Sequence, residues 1–469
     1  MIDKIVNLAK FLPEVRKPTQ QRVPFNTKLK WTLIMLVSYF VLSLVPLFGL
    51  GEQALQQFES LSVILGASFG SLVSLGIGPI VTASIILQVL VGADILKLDI
   101  HSPDGKKKFQ ALQKVFAVVF VIVEGAIYVY LGGLSPAPYY DPASNQFVTY
   151  AIEGAVALSA FQIGLLRFLL FLQVCLGGFL IILMDEVVSK WGFGSGISLF
   201  IVAGVGKSMF IGAFSWIKID GVHFSGAIPG IFQALYLGEP SVLLEQLSRI
   251  FFTVVVFMLA VYLQAMKIEI PLSPGRVRGY AVRWPLNFIY TSNIPVILTA
   301  TLLNNISMFV GFIATNPMVV NNMQMFFSGP SIITSLINGS FTPAMLGAML
   351  GYAGLMVGGA ILFSIFWVKT SGMDPASQAE QIINSGLQIP GFRRDKKILE
   401  RMLSKYIWPL TVLGGASVGL LAALADMTNA LSRGTGILLS VMIIYRLYED
   451  IKRDHAMDMP PFLRKLFKA

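Results

Sequence analysis

The sequence has few charged residues for its length. Only 13% of its 469 residues are charged and 55% are hydrophobic, with a mean hydropathy of +0.73. A water-soluble protein could not keep that much apolar surface in solution. The composition therefore indicates a membrane protein that crosses the bilayer many times.

Cysteine and histidine are almost absent. Cys175 is the single cysteine, so no internal disulfide can form, and three scattered histidines (His101, His223 and His455) cannot supply a metal cluster. The chain also contains neither an HExxH sequence nor a G-x-x-x-x-G-K-[ST] phosphate loop. We therefore expect no metal, no cofactor and no catalytic residue.

The N-terminus does not resemble a cleavable signal peptide. It carries two acidic residues and lacks both a continuous apolar core and a small-residue cleavage site. We expect a cytoplasmic amphipathic segment over residues 1–28 that lies on the membrane surface. Its apolar face would contain Ile5, Leu8, Ala9 and Leu12.

Apolar runs predict ten membrane-spanning helices. The connections that lie on one side of the membrane hold 30 of the 35 lysines and arginines, which places both termini in the cytoplasm. The predicted spans are approximately 29–50, 76–94, 113–133, 160–184, 196–216, 247–267, 293–313, 344–369, 405–425 and 431–450.

Ten spans divide into two sets of five, and an odd number of spans inverts the second set relative to the first. Inverted repeats commonly enclose a pathway between them. The predicted fold class is therefore an all-α polytopic membrane protein with two inverted five-helix halves. The predicted segments are an N-terminal half (29–216), an external hinge loop (217–246), a C-terminal half (247–450) and a cytoplasmic tail (451–469).

The uncharged run from Ser60 to Ala93 is too long for one span. As a single helix it would measure roughly 51 Å at about 1.5 Å per residue, whereas the bilayer core is about 30 Å thick. Four glycines lie between residues 66 and 78, and Pro79 favours a new helix start. A short re-entrant segment followed by a half-length helix fits this pattern, because non-helical backbone survives at membrane depth only inside protein. An external loop that leads into a kinked span is the alternative.

Five segments stand out in order along the chain: LGIGPIVTASIILQVL, WGFGSGISLFIVAG, YTSNIPVILTATLLNNI, IPGFRRD and RGTGILLSVMIIYRLYE. In this order they resemble the second span, the start of the fifth span, the seventh span, the tip of the last large cytoplasmic loop and the tenth span of the SecY family. This family comprises the protein-conducting channels and includes the alpha subunit of the eukaryotic translocon. The segments resemble the archaeal and eukaryotic branch more closely than the bacterial one, which indicates an archaeal-type member.

The resemblance implies a central hourglass pore closed by an aliphatic ring, with a re-entrant plug helix at about 58–68 on its outer side. It also implies a lateral gate between spans 2–3 and 7–8, held by a polar cluster. The ring positions are Ile77, Val81, Ile197, Ile201, Ile297 and Leu439; the plug positions are Phe58, Leu61, Ile64, Leu65 and Ser68; the gate positions are Thr82, Glu124 and Asn305. Without the resemblance, the same side chains fit ordinary lipid-facing or packing roles.

The resemblance further implies partners. The basic cytoplasmic loops would dock a ribosome through Arg276, Arg278, Arg393 and Arg394, while most other lysines, including Lys106, serve topology. Expected partners are a SecE-like gamma subunit, a small beta subunit, the ribosome, signal sequences and nascent polypeptides, the signal recognition particle pathway and membrane lipid. The expected location is the plasma membrane.

Two other classes of function were weighed. A secondary transporter of a small solute also uses inverted repeats and broken helices, but it needs convergent polar groups at the midplane. An intramembrane protease needs paired aspartates, a serine–histidine pair or a zinc motif, and the predicted spans contain none. No motif explains Arg167, expected near the outer end of span 4, or Lys207, expected in the outer funnel.

Overall fold

The computed structural model describes most of the chain, and the predicted plug and the tips of the basic loops lie outside the described residues. The described residues are 9, 11–19, 23–50, 70–92, 95–96, 98, 102–130, 134–142, 146–148, 155–218, 223–274, 282–291, 294–313, 323, 325–337, 339–384, 387–388 and 395–455.

Ten helices coincide with the ten predicted spans and confirm the predicted helical membrane fold. In the described part of the chain, seven are both long and apolar enough to cross a membrane, while α2, α8 and α13 are shorter or carry more charge. The ten are α1 (Phe25–Leu44), α2 (Gly78–Gly92), α3 (Pro103–Tyr130), α4 (Ala160–Trp191), α5 (Gly196–Phe214), α7 (Pro240–Ala265), α8 (Ile294–Ile313), α10 (Pro343–Thr370), α12 (Lys396–Met427) and α13 (Gly434–His455).

The first helix differs from its predicted span. It begins at Phe25 and ends at Leu44, several residues earlier than predicted at both ends. Val45 adopts an extended conformation directly before Pro46, and the residue before a proline is sterically kept from helical angles. The proline therefore ends the helix, although the apolar sequence continues to Leu50.

Within the described residues, short helices and two small sheets connect the spans, and the sequence did not predict the sheets. The short helices include α6 (Ala227–Leu237), α9 (Ile332–Ile337) and α11 (Pro375–Asn384). One sheet pairs β1 (Tyr139–Asp141) with β2 (Gln146–Val148) and β3 (Val156–Ala157); the other pairs β4 (Lys267–Pro274) with β5 (Val282–Asn287) and β6 (Leu387–Gln388), all antiparallel.

Residues 70–77 are non-helical and mostly buried. A Cβ placed on Gly177 of α4 would lie 1.6 Å from the carbonyl oxygen of Leu72, so the segment presses directly on that helix. Its backbone is paired with the end of α1, because the Leu47 amide donates to Gly70 and the Leu72 amide donates to Val45. Irregular backbone inside the protein, followed by the 15-residue α2, matches the predicted re-entrant pattern.

The N-terminal segment is tied to the C-terminal end of α4. Lys190 donates to Glu14 (2.8 Å), to the Val15 carbonyl and to Glu186, and Trp191 donates to the Arg16 carbonyl. The Lys190 ammonium holds the pKa of Glu14 below its ordinary value. Leu12 lies in a turn, and most of the predicted amphipathic helix lies outside the described residues.

Candidate functional site

Four helices and the turn before α2 bring the six predicted ring residues into one apolar cluster. Ile77 lies in the turn directly before α2 and Val81 in the first turn of that helix, while Ile197 and Ile201 lie in α5, Ile297 in α8 and Leu439 in α13. Five of the six are buried members of the central core, and Ile197 is half-buried against it. Pairs spaced i, i+4 lie on one helix face, which is why both isoleucines of α5 point the same way.

A cavity of about 450 Å³ adjoins this ring. Val81, Ile197 and Ile297 of the ring line it, and so do Trp367 near the end of α10 and Asp450 near the end of α13. The cavity therefore runs from the ring toward the C-terminal ends of α10 and α13, which the charge bias of the sequence predicts to be cytoplasmic. Its other lining residues include the polar side chains Ser84, Gln88 and Gln113.

The three predicted gate residues meet where α2, α3 and α8 come together. Asn305 donates through Nδ2 to the Thr82 hydroxyl over 3.4 Å, and Thr82 is also hydrogen-bonded to the Glu124 carboxyl group. Glu124 is 9% exposed, and its Oε1 has no hydrogen-bond partner among the described residues. One threonine therefore joins the N-terminal helices to α8 of the C-terminal set.

A second contact between α2 and α3 involves Ser84, two residues after Thr82 on α2. Gln113 donates through Nε2 to the Ser84 hydroxyl over 2.6 Å. This bond stays within the N-terminal set, so it holds α2 to α3 while the Thr82–Asn305 bond crosses between the two sets.

The predicted plug residues, Phe58 to Ser68, lie outside the described residues. Their two flanks are described: residues 45–50 after α1, and the buried turns from residue 70. The Pro46–Ser71 bridge joins these flanks, so the segment between them starts and ends at one place. That place adjoins the ring, because Ile77 and Val81 follow within a few residues.

The four predicted docking arginines also lie outside the described residues, but the bases of their loops do not. Ser273 pairs with Gln388 and Pro274 with Leu387, so β4 and β6 bring the two loops side by side. Arg276 follows β4 by two residues and Arg393 follows β6 by five. The sheet thus joins two basic loops that are more than 100 residues apart in sequence.

The two unexplained cations differ in their surroundings. Arg167 lies near the start of α4 and is exposed, among exposed apolar neighbours such as Leu165 and Phe168. Lys207, on α5, donates to the Ser43 hydroxyl of α1 over 3.3 Å. Lys207 is therefore directed toward α1, which adds a contact that the sequence did not reveal.

An acidic side chain outside the predicted sets links α10, α12 and the start of α13. Asp426, at the end of α12, accepts from the Tyr352 hydroxyl over 2.7 Å and from the amide of Thr435 over 2.7 Å. The Thr435 hydroxyl is a further partner. The feature of the sequence that could have indicated this role is a lone aspartate near the end of an apolar span.

A second missed acidic residue is Asp185 on α4, whose carboxylate accepts from the Ile197 amide over 2.9 Å. Among the described residues, no three His, Cys, Asp or Glu side chains are grouped so that they could hold a metal ion. The arrangement is therefore an apolar constriction, a cavity and a polar seam.

Two profiles of known protein families together match almost the entire chain. Residues 71–448 match the sequence profile of SecY, and residues 37–70 match the profile described as the plug domain of Sec61p.

The chain belongs to the SecY family.

Relatives support this assignment over their full length. The chain is 41% identical to the protein translocase subunit SecY of Methanothermobacter thermautotrophicus, covering 98% of each chain. It is 38% identical to SecY of Pyrococcus furiosus, covering 100% of this chain and 99% of that one.

Solved SecY-family structures share the fold. One, described as the structure of a protein conducting channel, superimposes with a TM-score of 0.76 at 32% identity over 98% of this chain and 99% of that one. Another, Sec61 in the canine ribosome–channel complex from the endoplasmic reticulum, gives a TM-score of 0.72 at 32% identity with the same coverage.

Proposed function

We propose that this chain is the pore-forming central subunit of a protein translocation channel. It passes unfolded secretory polypeptides across the membrane and releases transmembrane segments sideways into lipid. It carries out no chemical reaction. The observation that carries this proposal is the cluster of six aliphatic side chains beside a cavity that extends to the ends of α10 and α13.

The aliphatic ring suits a seal that must both close and yield. Isoleucine, valine and leucine offer no hydrogen bonds to water or ions, so a narrow ring of them excludes both by dewetting. Dispersion contacts have no preferred direction, so the same ring can surround an extended chain of any sequence. A transporter of a small solute would instead need polar groups at this level.

The polar seam suits a gate. The Asn305–Thr82 bond crosses between α8 and α2, and polar groups inside a membrane protein are costly unless they are paired. An apolar signal sequence can replace this seam and leave sideways into lipid. Phe58, Leu61, Ile64, Leu65 and Ser68 are proposed to form the plug that leaves the outer side of the ring when a chain enters.

The proposed division of the chain follows this mechanism. The segment 29–216 forms one half of the channel and 247–450 the other, with 217–246 as the external hinge, and residues 1–28 and 451–469 in the cytoplasm. A SecE-like subunit would brace the two halves opposite the gate, with a small beta subunit beside it. The channel would lie in the plasma membrane.

The docking partner is proposed to be a ribosome that receives chains from the signal recognition particle pathway. Support comes from the β4–β6 pairing, which holds side by side the bases of the two loops that contain Arg276, Arg278, Arg393 and Arg394. Arginine forks bind phosphate oxygens in pairs, which suits ribosomal RNA.

Disulfide cross-linking tests the channel directly. Cys175 is first replaced by serine, and a single cysteine is placed at Ile297 in the ring or at Leu362, which is 47% exposed on α10. A stalled secretory chain with one cysteine is expected to cross-link at position 297 and not at 362. Binding of the chain without a cross-link at 297 would remove the pore assignment and favour the transporter.

A further inference from the structure

The helix that supplies two ring residues begins immediately beside the ring. α5 starts at Gly196, so Ile197 is its second residue and Ile201 lies one turn further. The first amide groups of any helix have no partner within the helix and need an acceptor from elsewhere. Ser195 occupies the N-cap position, but its side chain makes no capping hydrogen bond.

The acceptor comes from the preceding helix. Asp185 of α4 accepts the Ile197 amide on Oδ1 over 2.9 Å, and the Gly196 amide and the Ser195 hydroxyl are also hydrogen-bonded to this carboxylate. Three donors at the beginning of α5 thus converge on one side chain. A carboxylate at this end is also favoured by the helix dipole.

The backbones of the two helices meet at the same point. A Cβ on Gly196 would lie 2.6 Å from the Cα of Asp185, so only glycine allows this approach. The neighbouring acid, Glu186, is bound instead to Lys114 (3.0 Å) and Lys190 (2.7 Å). The capping role therefore belongs to Asp185 alone of the two adjacent acids.

We propose that Asp185 is the positioning residue of the aliphatic ring. It holds the first turn of α5 against α4, and so keeps Ile197 and Ile201 at the level of Ile77 and Ile297 in the closed channel. Its carboxylate acts only through the backbone of α5. This inference rests on the proposed function, since the position of the ring matters only if the ring seals a pore.

Ion leak through the closed channel tests the proposal. The full-length protein, purified with its co-purifying subunits, is reconstituted in lipid vesicles without substrate, and ion flux is compared for the wild type, Asp185→Ala and Asp185→Asn. Loss of a helix cap shifts the equilibrium between the ordered and the frayed first turn of a helix by about 2- to 30-fold. A rise in ion leak of the same size is expected for Asp185→Ala. Asp185→Asn retains an oxygen for the Ile197 amide and should stay within about twofold of the wild type.

Asp395 provides a matched control. It caps α12 by accepting the Lys397 amide over 2.8 Å, the same bond made by the same residue type, but α12 carries no ring residue. Asp395→Ala should leave the leak unchanged. If Asp185→Ala fails to accumulate in the membrane, Asp185→Glu displaces the carboxylate from the same amide, and a raised leak is again expected.

The outcomes separate this inference from the proposed function. Three results would each overturn the role of Asp185. The first is an ion leak at the wild-type level in Asp185→Ala or Asp185→Glu. The second is a leak in Asp395→Ala as high as that in Asp185→Ala, and the third is a leak in Asp185→Asn as high as that in Asp185→Ala. Cross-linking at Ile297 in the same preparations reports on the channel itself. A positive cross-link with a leak independent of Asp185 removes only the inference, whereas loss of the wild-type cross-link removes the proposed function.

Discussion

At the scale of single residues, Asn304 and Asn305 are neighbours in α8 that bond in different directions. Asn304 accepts from Arg433, just before α13, over 3.2 Å, while Asn305 donates to Thr82 of α2 over 3.4 Å. Successive helix positions are about 100° apart, so one asparagine ties α8 to its own half and the other ties it to the opposite half.

Replacing Asn305 with alanine should make the gate easier to open. The closed state loses the hydrogen bond to Thr82, and such a bond contributes about 0.5–1.5 kcal/mol. Its loss should shift the equilibrium between closed and open gate about 2- to 12-fold toward the open state. Secretory chains with weakened signal sequences should then cross in larger amounts, measured as protected product in vesicles.

Asn304→Ala is the matched control for that measurement. It removes an amide of the same size from the next position but leaves the Thr82 bond in place, so the signal requirement should stay as in the wild type. Equal effects of the two substitutions would show that general loosening of α8, rather than the seam, controls opening.

At the scale of helices, α10 and α12 are held together by small residues. A Cβ on Gly419 would lie 2.9 Å from both the Met356 carbonyl oxygen and the Ala360 methyl group, so the two backbones are almost in contact. In lipid, close packing of small residues replaces the hydrophobic effect as the main attraction between helices.

Gly419→Val should therefore destabilise the C-terminal half. Overpacking a close contact costs about 1–3 kcal/mol, and the expected result is a lower midpoint of thermal unfolding in detergent. Gly358→Val on α10 is the control, because nothing lies within 4 Å of a Cβ there. Equal losses from both variants would mean that helix propensity, not the contact, is responsible.

At the scale of the whole molecule, the β4–β6 pairing joins the bases of two basic loops from distant parts of the chain. The hairpin of β4 and β5 is seated on the helices below through Ile270 and Leu286, each 3% exposed and packed with residues of α11 and α12. The two loop bases are therefore fixed relative to each other, and the arginines beyond them can act as one surface.

Charge reversal at Arg276 or Arg393 should weaken ribosome binding. Each reversal should lower the affinity about tenfold at physiological salt and reduce the slope of log K against log salt by about one. If the two loops form one binding surface, the loss of ribosome affinity in the double variant should be smaller than the product of the losses in the two single variants. Binding titrations over a series of salt concentrations would measure these affinities. Lys106→Glu, on the exposed first turn of α3, should have little effect, and an equal loss there would favour a general charge effect.

Much of the architecture follows from local sequence. Hydropathy and the charge bias located all ten helices, and Pro79 with its preceding glycines predicted the half-length α2. The resemblance picked out Thr82, Glu124 and Asn305, which the structure brings together. Asp185 and Asp426 were missed because their partners are backbone and side-chain groups of other helices, and sequence spacing carries no record of such contacts.

The sequence by itself determined the membrane class and the approximate positions of the ten spanning helices, because the cost of burying polar groups in lipid depends on each segment separately. Only the tertiary structure decided which side chains meet. It placed the four helices of the ring around one cluster, seated the start of α5 on Asp185 and joined the basic loops through β6. These contacts depend on packing between segments that are far apart in the chain, where close-range sterics and hydrogen-bond geometry select the partners.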